Sequence, residues 1–172
     1  MNRGGQAFLE AVERVLDPLP SYEGVLALLQ EELAIESGTI HRLDPPNLLR
    51  LEASLGIPPP VLAIIQTIPV GKGMAGLAVE RRLPVTTCNL QTDRTGDVRP
   101  GARATGLQGS IVVPIFSGDH VVGALGVANT SERVFGPAET ELLLEVGRRL
   151  GRRLARRPAG RSERAKETEG PA

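Results

Sequence analysis

The chain is short of the residues on which disulfides, metal clusters and many cofactor sites depend. Its 172 residues include one cysteine, Cys88, together with three phenylalanines, one tyrosine and no tryptophan. A single cysteine excludes an intrachain disulfide and a cysteine-rich metal site, and it favours a reducing, cytoplasmic location. The scarcity of aromatic rings argues against a stacking surface for flavins, haems or single-stranded nucleic acid. We therefore expect no metal and no cofactor.

An excess of charge of either sign is also missing. The 20 Lys and Arg residues balance 20 Asp and Glu residues, so the formal net charge is +0 at pH 7. Bulk electrostatics thus give no reason to expect a nucleic-acid partner. Long apolar runs are absent too, and the charges within residues 1–13 lead us to expect neither a signal peptide nor a membrane anchor there.

Apolar residues recur at helical spacing near both ends of the chain. The first pattern predicts an amphipathic helix over residues 1–19, and a second helix should begin after Ser21, a residue type that caps helix N-termini. The last pattern predicts a helix over 138–157, with acidic residues early and arginines late, as the helix dipole favours. Residues 158–172 contain alanine as their one apolar residue type, which predicts a disordered tail.

Between these helices the sequence predicts an antiparallel sheet. Strand-like apolar runs flank short polar turns over residues 38–55 and 110–128, which indicates two β-hairpins. The other predicted elements are a short helix around 61–65, a segment over 68–76 that leads into a helix over 75–81, a strand over 83–87, and an irregular loop over 89–109 with a helical turn at 99–105.

Three motifs, in this order along the chain, resemble the GAF family. Residues 71–78, GKGMAGLA, resemble its glycine-rich helix start; residues 110–115, SIVVPI, resemble its central strand; and residues 122–127, VGALGV, resemble the partner strand. The resemblance implies an α+β fold with a GAF/PAS-like central antiparallel sheet of five to six strands. It also implies that the N- and C-terminal helices pack on one face of this sheet, within a domain over residues 1–157.

A ligand pocket is expected over the second hairpin, where Gly123 and Gly126 leave room on one sheet face. The alternative is that these glycines relieve crowding between sheet and helix. Arg94 and Arg103 could receive an anion such as a carboxylate or nitrate, unless their loop is a solvated charged surface. The expected ligand-binding residues are Arg42, Glu52, Ser54, Cys88, Asp93, Arg94, Ser110, Val112 and Ala124.

One branch of the family, the free methionine-(R)-sulfoxide reductases, is enzymatic. The resemblance implies that this chemistry needs several cysteines in the loop before the central strand, and residues 89–109 contain none. Gly126 and Ala128 also occupy the positions of that branch's acidic pair. Cys88 is interpreted as a small apolar residue, with redox sensing as the alternative, and His41 and His120 as packing or surface residues. We expect no enzymatic activity.

Two ligand-binding branches are disfavoured as well. The cyclic-nucleotide branch carries an Asn-Lys…Phe-x-x-x-Asp-Glu pattern, whereas this chain has Asn129-Thr130 and Phe135 followed by Glu139-Thr140, without the Lys and the second acid. Asn129 and Phe135 should instead shape a turn and anchor the last helix. Bilin binding needs a suitably placed Cys and His and an aromatic-rich pocket, which the composition does not supply.

The function expected from these observations is a non-catalytic sensory or regulatory domain that binds a small molecule, a signalling protein partner or both. The alternative is a ligand-free dimerisation or interaction module. Apolar stripes on the terminal helices predict a homodimer, unless both stripes are buried in the chain's own core. The stripe residues are Phe8, Val12, Val15 and Leu19, with Leu142, Val146, Leu150 and Leu154.

Overall fold

A six-stranded antiparallel sheet lies at the centre of the computed structural model, which describes residues 3–156. The predicted disordered tail, 158–172, lies outside the described residues. No helix within the described part of the chain is long and apolar enough to cross a membrane. The elements in chain order are α1 (Arg3–Leu16), α2 (Tyr22–Leu33), β1 (Ser37–Asp44), β2 (Leu48–Leu55), α3 (Pro59–Ile65), β3 (Thr67–Pro69), α4 (Gly73–Arg81), β4 (Val85–Thr87), a 3₁₀-helix (Pro100–Thr105), β5 (Ser110–Ser117), β6 (His120–Ala128) and α5 (Pro137–Leu154).

The strands are ordered β3-β2-β1-β6-β5-β4, and every neighbouring pair is antiparallel. Both predicted hairpins are present, and they meet at the centre of the sheet through β1 and β6. In that pairing Ile40 is opposite Leu125 and Ser37 is opposite Ala128. The α+β fold with a central antiparallel sheet is confirmed.

The two faces of the sheet differ because side chains alternate along each strand. Val113 and Leu125 point to one face, where they join a large apolar cluster with residues of α1, α2 and α5. Val112 and Ala124 belong to a second, smaller cluster on the other face, together with residues of α4. The terminal helices therefore pack on one face of the sheet, as the sequence predicts.

Two predicted helix boundaries are corrected. The first helix ends at Leu16 rather than at residue 19 because Asp17 precedes Pro18, and a residue before proline disfavours the helical conformation. The last helix spans Pro137–Leu154, with proline at its first turn. The start of the second helix is confirmed, since Ser21 Oγ accepts a hydrogen bond from the Gly24 N–H at 3.0 Å.

The edge strand β3 is not predicted from the sequence. Its three residues, Thr67–Pro69, pair with Leu48–Arg50 of β2, whereas the sequence predicted that 68–76 only leads into a helix. A strand this short carries no alternation that could be recognised. Pro69 has no N–H for a β-ladder, and proline in a sheet is confined to edges such as this one.

Most residues of the apolar stripes on the terminal helices pack within the chain's own core. Phe8, Val12, Val146 and Leu150 are buried in the large cluster, whereas Leu19 lies beyond α1 and is 84% exposed. This packing fits the alternative in which the stripes belong to the chain's own core. The homodimer through these helices stays a prediction.

Polar contacts anchor the start of α5. Asn129 Nδ2 donates to the Ala34 carbonyl at 2.8 Å, and Arg133 Nη1 donates to Asn129 Oδ1 at 3.0 Å. The Arg133 guanidinium also pairs with Glu139 and lies 4.4 Å from the centre of the Phe135 ring. Phe135 itself is buried in the large cluster. Asn129 and Phe135 thus shape the turn and anchor the last helix, as the sequence predicts.

A buried histidine holds α3 against the sheet face that lies opposite the terminal helices. His41 on β1 is 2% exposed, and its Nε2 lies 2.9 Å from the carbonyl oxygen of Ile65, the last residue of α3. Because a carbonyl can only accept, Nε2 must carry the hydrogen, and Nδ1 is then an unprotonated atom without a hydrogen-bond partner. Burial lowers the pKa of His41, which keeps the ring neutral.

The stability of the fold should therefore fall on acidification through the titration range of an ordinary histidine. The unfolded chain takes up a proton at His41 near pH 6.5, whereas the folded chain resists it, so protonation favours unfolding. Chemical denaturation between pH 7.5 and 5.5 should show a larger loss of unfolding free energy for the wild type than for His41→Gln.

The control is His120→Gln, because His120 is the other histidine of the chain and is exposed at the start of β6. This variant should keep the wild-type pH profile. Equal pH profiles for the wild type and His41→Gln would contradict the role given to the buried ring.

Candidate functional site

A cavity of about 410 Å³ lies on the sheet face opposite the terminal helices. Its floor is formed by β1, β5 and β6, one side by α3, another by the start of α4, and its cover by the loop between β4 and β5. The lining residues are Ser37, Gly38, Thr39, His41, Ile57, Val61, Ile64, Ile65, Ile68, Lys72, Gly73, Met74, Ala75, Leu90, Val98, Arg99, Pro100, Gly101, Ala102, Thr105, Leu107, Ser110, Val112, Gly126, Val127 and Ala128. Most of them are apolar, as in pockets that bind small molecules.

Small residues on the floor create this space. A Cβ added to Gly126 would stand 3.0 Å from Thr39 Oγ1 and 3.3 Å from Val112 Cγ2, two atoms of lining residues, so a side chain there would occupy the cavity. Gly123 has a different role, because a Cβ there would meet the His41 carbonyl oxygen at 2.2 Å. Each of the two interpretations therefore applies to one glycine. Gly126 opens the pocket. Gly123 relieves crowding, but against a neighbouring strand rather than a helix.

The loop between β4 and β5 covers the cavity with an apolar inner side. Val98 and Leu107 are buried and line the cavity. The loop is held to α4 by Arg81, whose guanidinium donates to both carboxylate oxygens of Asp97 at 2.9 and 3.0 Å. Gln91 Nε2 also donates to the Leu107 carbonyl at 2.7 Å. The loop thus has charged side chains on its outer side and apolar side chains on the side that faces the cavity. The helical turn predicted within the loop is the 3₁₀-helix.

Few polar side chains reach the cavity, and no acidic residue among the described residues 3–156 lines it. Ser110 Oγ is already engaged, since it donates to the Val127 carbonyl at 3.2 Å. His41 contributes a neutral ring. The charged lining residues are Lys72 and Arg99, and both are exposed at the rim. The cavity therefore combines an apolar interior with a positively charged rim.

The structure brings two of the expected ligand-binding residues to the cavity. Ser110 and Val112 line it, and as ligand contacts they stay predictions. Arg42 does not line it, because β1 alternates and places Arg42 on the same face as Ile40, towards the terminal helices. There its Nε donates a hydrogen bond to Glu52 Oε1 at 2.8 Å, so the two side chains pair with each other.

The remaining expected residues also lie outside the cavity lining. Ser54 is on β2, opposite Thr39, and Ala124 is packed within the smaller apolar cluster. Cys88 and Arg94 are exposed in the loop after β4. None of these four residues belongs to the cavity wall.

Asp93 and Arg103 stabilise the loop itself. Asp93 accepts hydrogen bonds from Thr95 and Thr87, and the bond from the Thr95 side chain lowers the pKa of this carboxyl. Arg103 donates to the Asp93 carbonyl at 3.0 Å and is otherwise exposed. Arg99, four residues earlier, is the arginine of this loop that reaches the cavity.

Sequence reasoning missed His41, Lys72, Arg99 and the apolar wall formed by α3. A signal existed for Lys72, which lies inside the recognised glycine-rich motif, and for His41, which shares its strand face with Thr39. No local pattern marks Arg99, because its position depends on how the loop folds over the sheet.

No chemically reactive cluster accompanies the cavity in the part of the chain that the structure describes. Residues 3–156 contain no group of three or more His, Cys, Asp or Glu side chains that could hold a metal ion. The free cysteine, Cys88, is exposed and lies outside the cavity lining. The arrangement is suited to binding a molecule.

Solved structures with low sequence identity share this fold. The GAF domain of an Acinetobacter phosphoenolpyruvate-protein phosphotransferase is 18% identical, with a TM-score of 0.73 over 90% of this chain and 95% of that one. The corresponding domain from Coxiella burnetii is 19% identical, with a TM-score of 0.71 over 88% and 92%. A free methionine-R-sulfoxide reductase from Neisseria meningitidis, solved with its substrate, is 20% identical, with a TM-score of 0.69 over 90% and 92%.

Comparison with curated proteins gives no match. The family comparison is decisive, because the model of the GAF domain matches residues 22–155, which is more than half of the chain. The match begins at α2 and includes the whole sheet, every wall of the cavity and α5. The chain belongs to the GAF domain family.

Proposed function

We propose that this chain is a non-catalytic sensory or regulatory GAF domain, which binds a small molecule in the cavity and acts in signal transduction. The observation that carries the proposal is the cavity itself. At about 410 Å³ it falls within the 300–1,000 Å³ range typical of small-molecule sites, and its walls are apolar with few polar groups.

The position of the cavity supports a route from ligand to output. Its floor includes Gly126 and Ala128, and the next residue, Asn129, is hydrogen-bonded to Arg133 in the network that anchors α5. A ligand that shifts the end of β6 therefore acts on the start of α5. Because this helix is packed on the other face of the sheet, a partner bound there would sense the change.

A side chain that fills the cavity should abolish ligand binding. Ala102 and Ala104 lie in the same 3₁₀-helix, but Ala102 lines the cavity whereas Ala104 is exposed. In a thermal-shift screen of a metabolite library, at least one compound should raise the melting temperature of the wild type with increasing concentration. Ala102→Leu should lose this response, and Ala104→Leu, the matched control, should keep it.

Melting temperatures without ligand show whether both variants fold. A library without any stabilising compound, or a response that survives in Ala102→Leu, would contradict binding in the cavity. That outcome would favour the ligand-free interaction module.

A reductase is the second candidate, since free methionine-R-sulfoxide reductases share the fold at low identity. We infer that this chain lacks the activity, because its single cysteine is exposed and does not line the cavity. Incubation with free methionine-R-sulfoxide and dithiothreitol should yield no methionine above a protein-free control. Turnover that Cys88→Ser abolishes would show that the domain is an enzyme.

The proposed homodimer gives the domain a way to act on a second chain. Light scattering at high protein concentration should give twice the mass of 18.3 kDa. Leu19→Asp should weaken the dimer without unfolding the chain, because this apolar side chain is 84% exposed. If the wild type stays monomeric at high concentration, the predicted homodimer is wrong.

A further inference from the structure

Two cationic side chains at the rim of the cavity have no ion-pair partner within the described part of the chain. Lys72 precedes α4, and its side chain makes no capping hydrogen bond. Neither Lys72 nor Arg99 forms an ion pair with any residue in the range 3–156, whereas eight other arginines in that range do. Both nevertheless line the cavity, whose wall contains no acidic residue.

Backbone geometry brings the two cations to the same side of the cavity. Gly73 has a φ of +61°, and a Cβ added to it would stand 2.9 Å from Arg99 Cδ and 3.0 Å from Arg99 Cγ. The stem of Arg99 thus lies against the residue that follows Lys72. An anion bound at this side of the rim would therefore face two positively charged side chains.

The rest of the cavity defines the body of the ligand. Ile57, Val61 and Ile65 on the α3 side face Val112 and the floor of the sheet. A small inorganic anion such as nitrate would leave most of the 410 Å³ unfilled and would bury none of this apolar surface. A neutral hydrocarbon would fill the interior but leave the cations unpaired.

We infer that the cavity binds a small carboxylic acid with an apolar body, whose carboxylate is held by Lys72 and Arg99 at the rim. Arginine binds a carboxylate through two parallel hydrogen bonds, and lysine adds a compact positive charge. The apolar body then lies among the side chains of α3, the loop and the sheet. This inference rests on the proposed function, because it names the class of molecule that the proposed sensor detects.

Octanoate, 1-octanol and nitrate separate the contributions of charge and apolar body. In isothermal titration calorimetry the wild type should bind octanoate about tenfold more tightly than 1-octanol, because a hydrogen bond to a charged group contributes more than one to a neutral group. Nitrate should show no measurable binding. Lys72→Gln and Arg99→Gln should each lower the affinity for octanoate about tenfold and leave that for 1-octanol nearly unchanged.

Arg14→Gln is the matched control, since it removes one positive charge from α1, on the far side of the sheet. It should bind octanoate like the wild type. A loss of affinity in this variant equal to that in Arg99→Gln would show that only the net charge matters, which would overturn the inference.

The outcomes distinguish the inference from the proposed function. If 1-octanol binds as tightly as octanoate and Ala102→Leu loses both, the cavity is a ligand site but not a carboxylate site, so only the inference fails. If the wild type binds none of the three probes, the inference is wrong, and the library screen with Ala102→Leu decides the proposed function separately.

Discussion

The structure depends on the unequal size of the side chains that the two central strands direct to their two faces. On one face, Leu125 and Val127 of β6 pack against the terminal helices and close the large apolar cluster. On the other, Gly126 and Ala128 alternate with them and are too small to fill the space beneath α3 and the loop. The alternation of side chains along β6 thus places a filled apolar core on one face of the sheet and an open cavity on the other face.

The covering elements of the cavity depend on contacts between distant parts of the chain. α3 is short and has no side-chain hydrogen bond at its N-cap, so the bond from His41 to Ile65 is its polar link to the sheet. The loop is tied to α4 by the Arg81–Asp97 pair. Bonds between separate segments thus hold these covers, whereas the floor belongs to the continuous hydrogen-bonded sheet.

Most of the fold could be predicted from the sequence because it is encoded locally. Helical periodicity, the cap at Ser21 and alternation in the hairpins depend on residues close to one another along the chain. The glycine-rich motif and the strand motifs over 110–115 and 122–127 then indicated the family. The edge strand Thr67–Pro69 could not be recognised in this way, since it is defined only by its pairing with β2.

The candidate site was less predictable, for a physical reason. Arg42 and Glu52 are polar residues near the centre of the sheet, but they bind each other on the face away from the cavity. Arg94 and Arg99 lie in one irregular loop, and nothing in their neighbouring residues tells which of them turns inward. Only the packed structure places the stem of Arg99 against Gly73. Residue types indicated a pocket, but tertiary packing selected its lining.

The partition of the apolar residues into two clusters by the sheet has a consequence for sequence divergence. The large cluster joins the terminal helices to one face, and the cavity takes up much of the other. A substitution in the cavity wall removes few contacts from the large cluster. Because the cavity already leaves space beside the wall, such a substitution should change the free energy of folding only to a limited extent. The two sides of the sheet can therefore diverge separately, because the large cluster and the cavity wall are built from largely different residues.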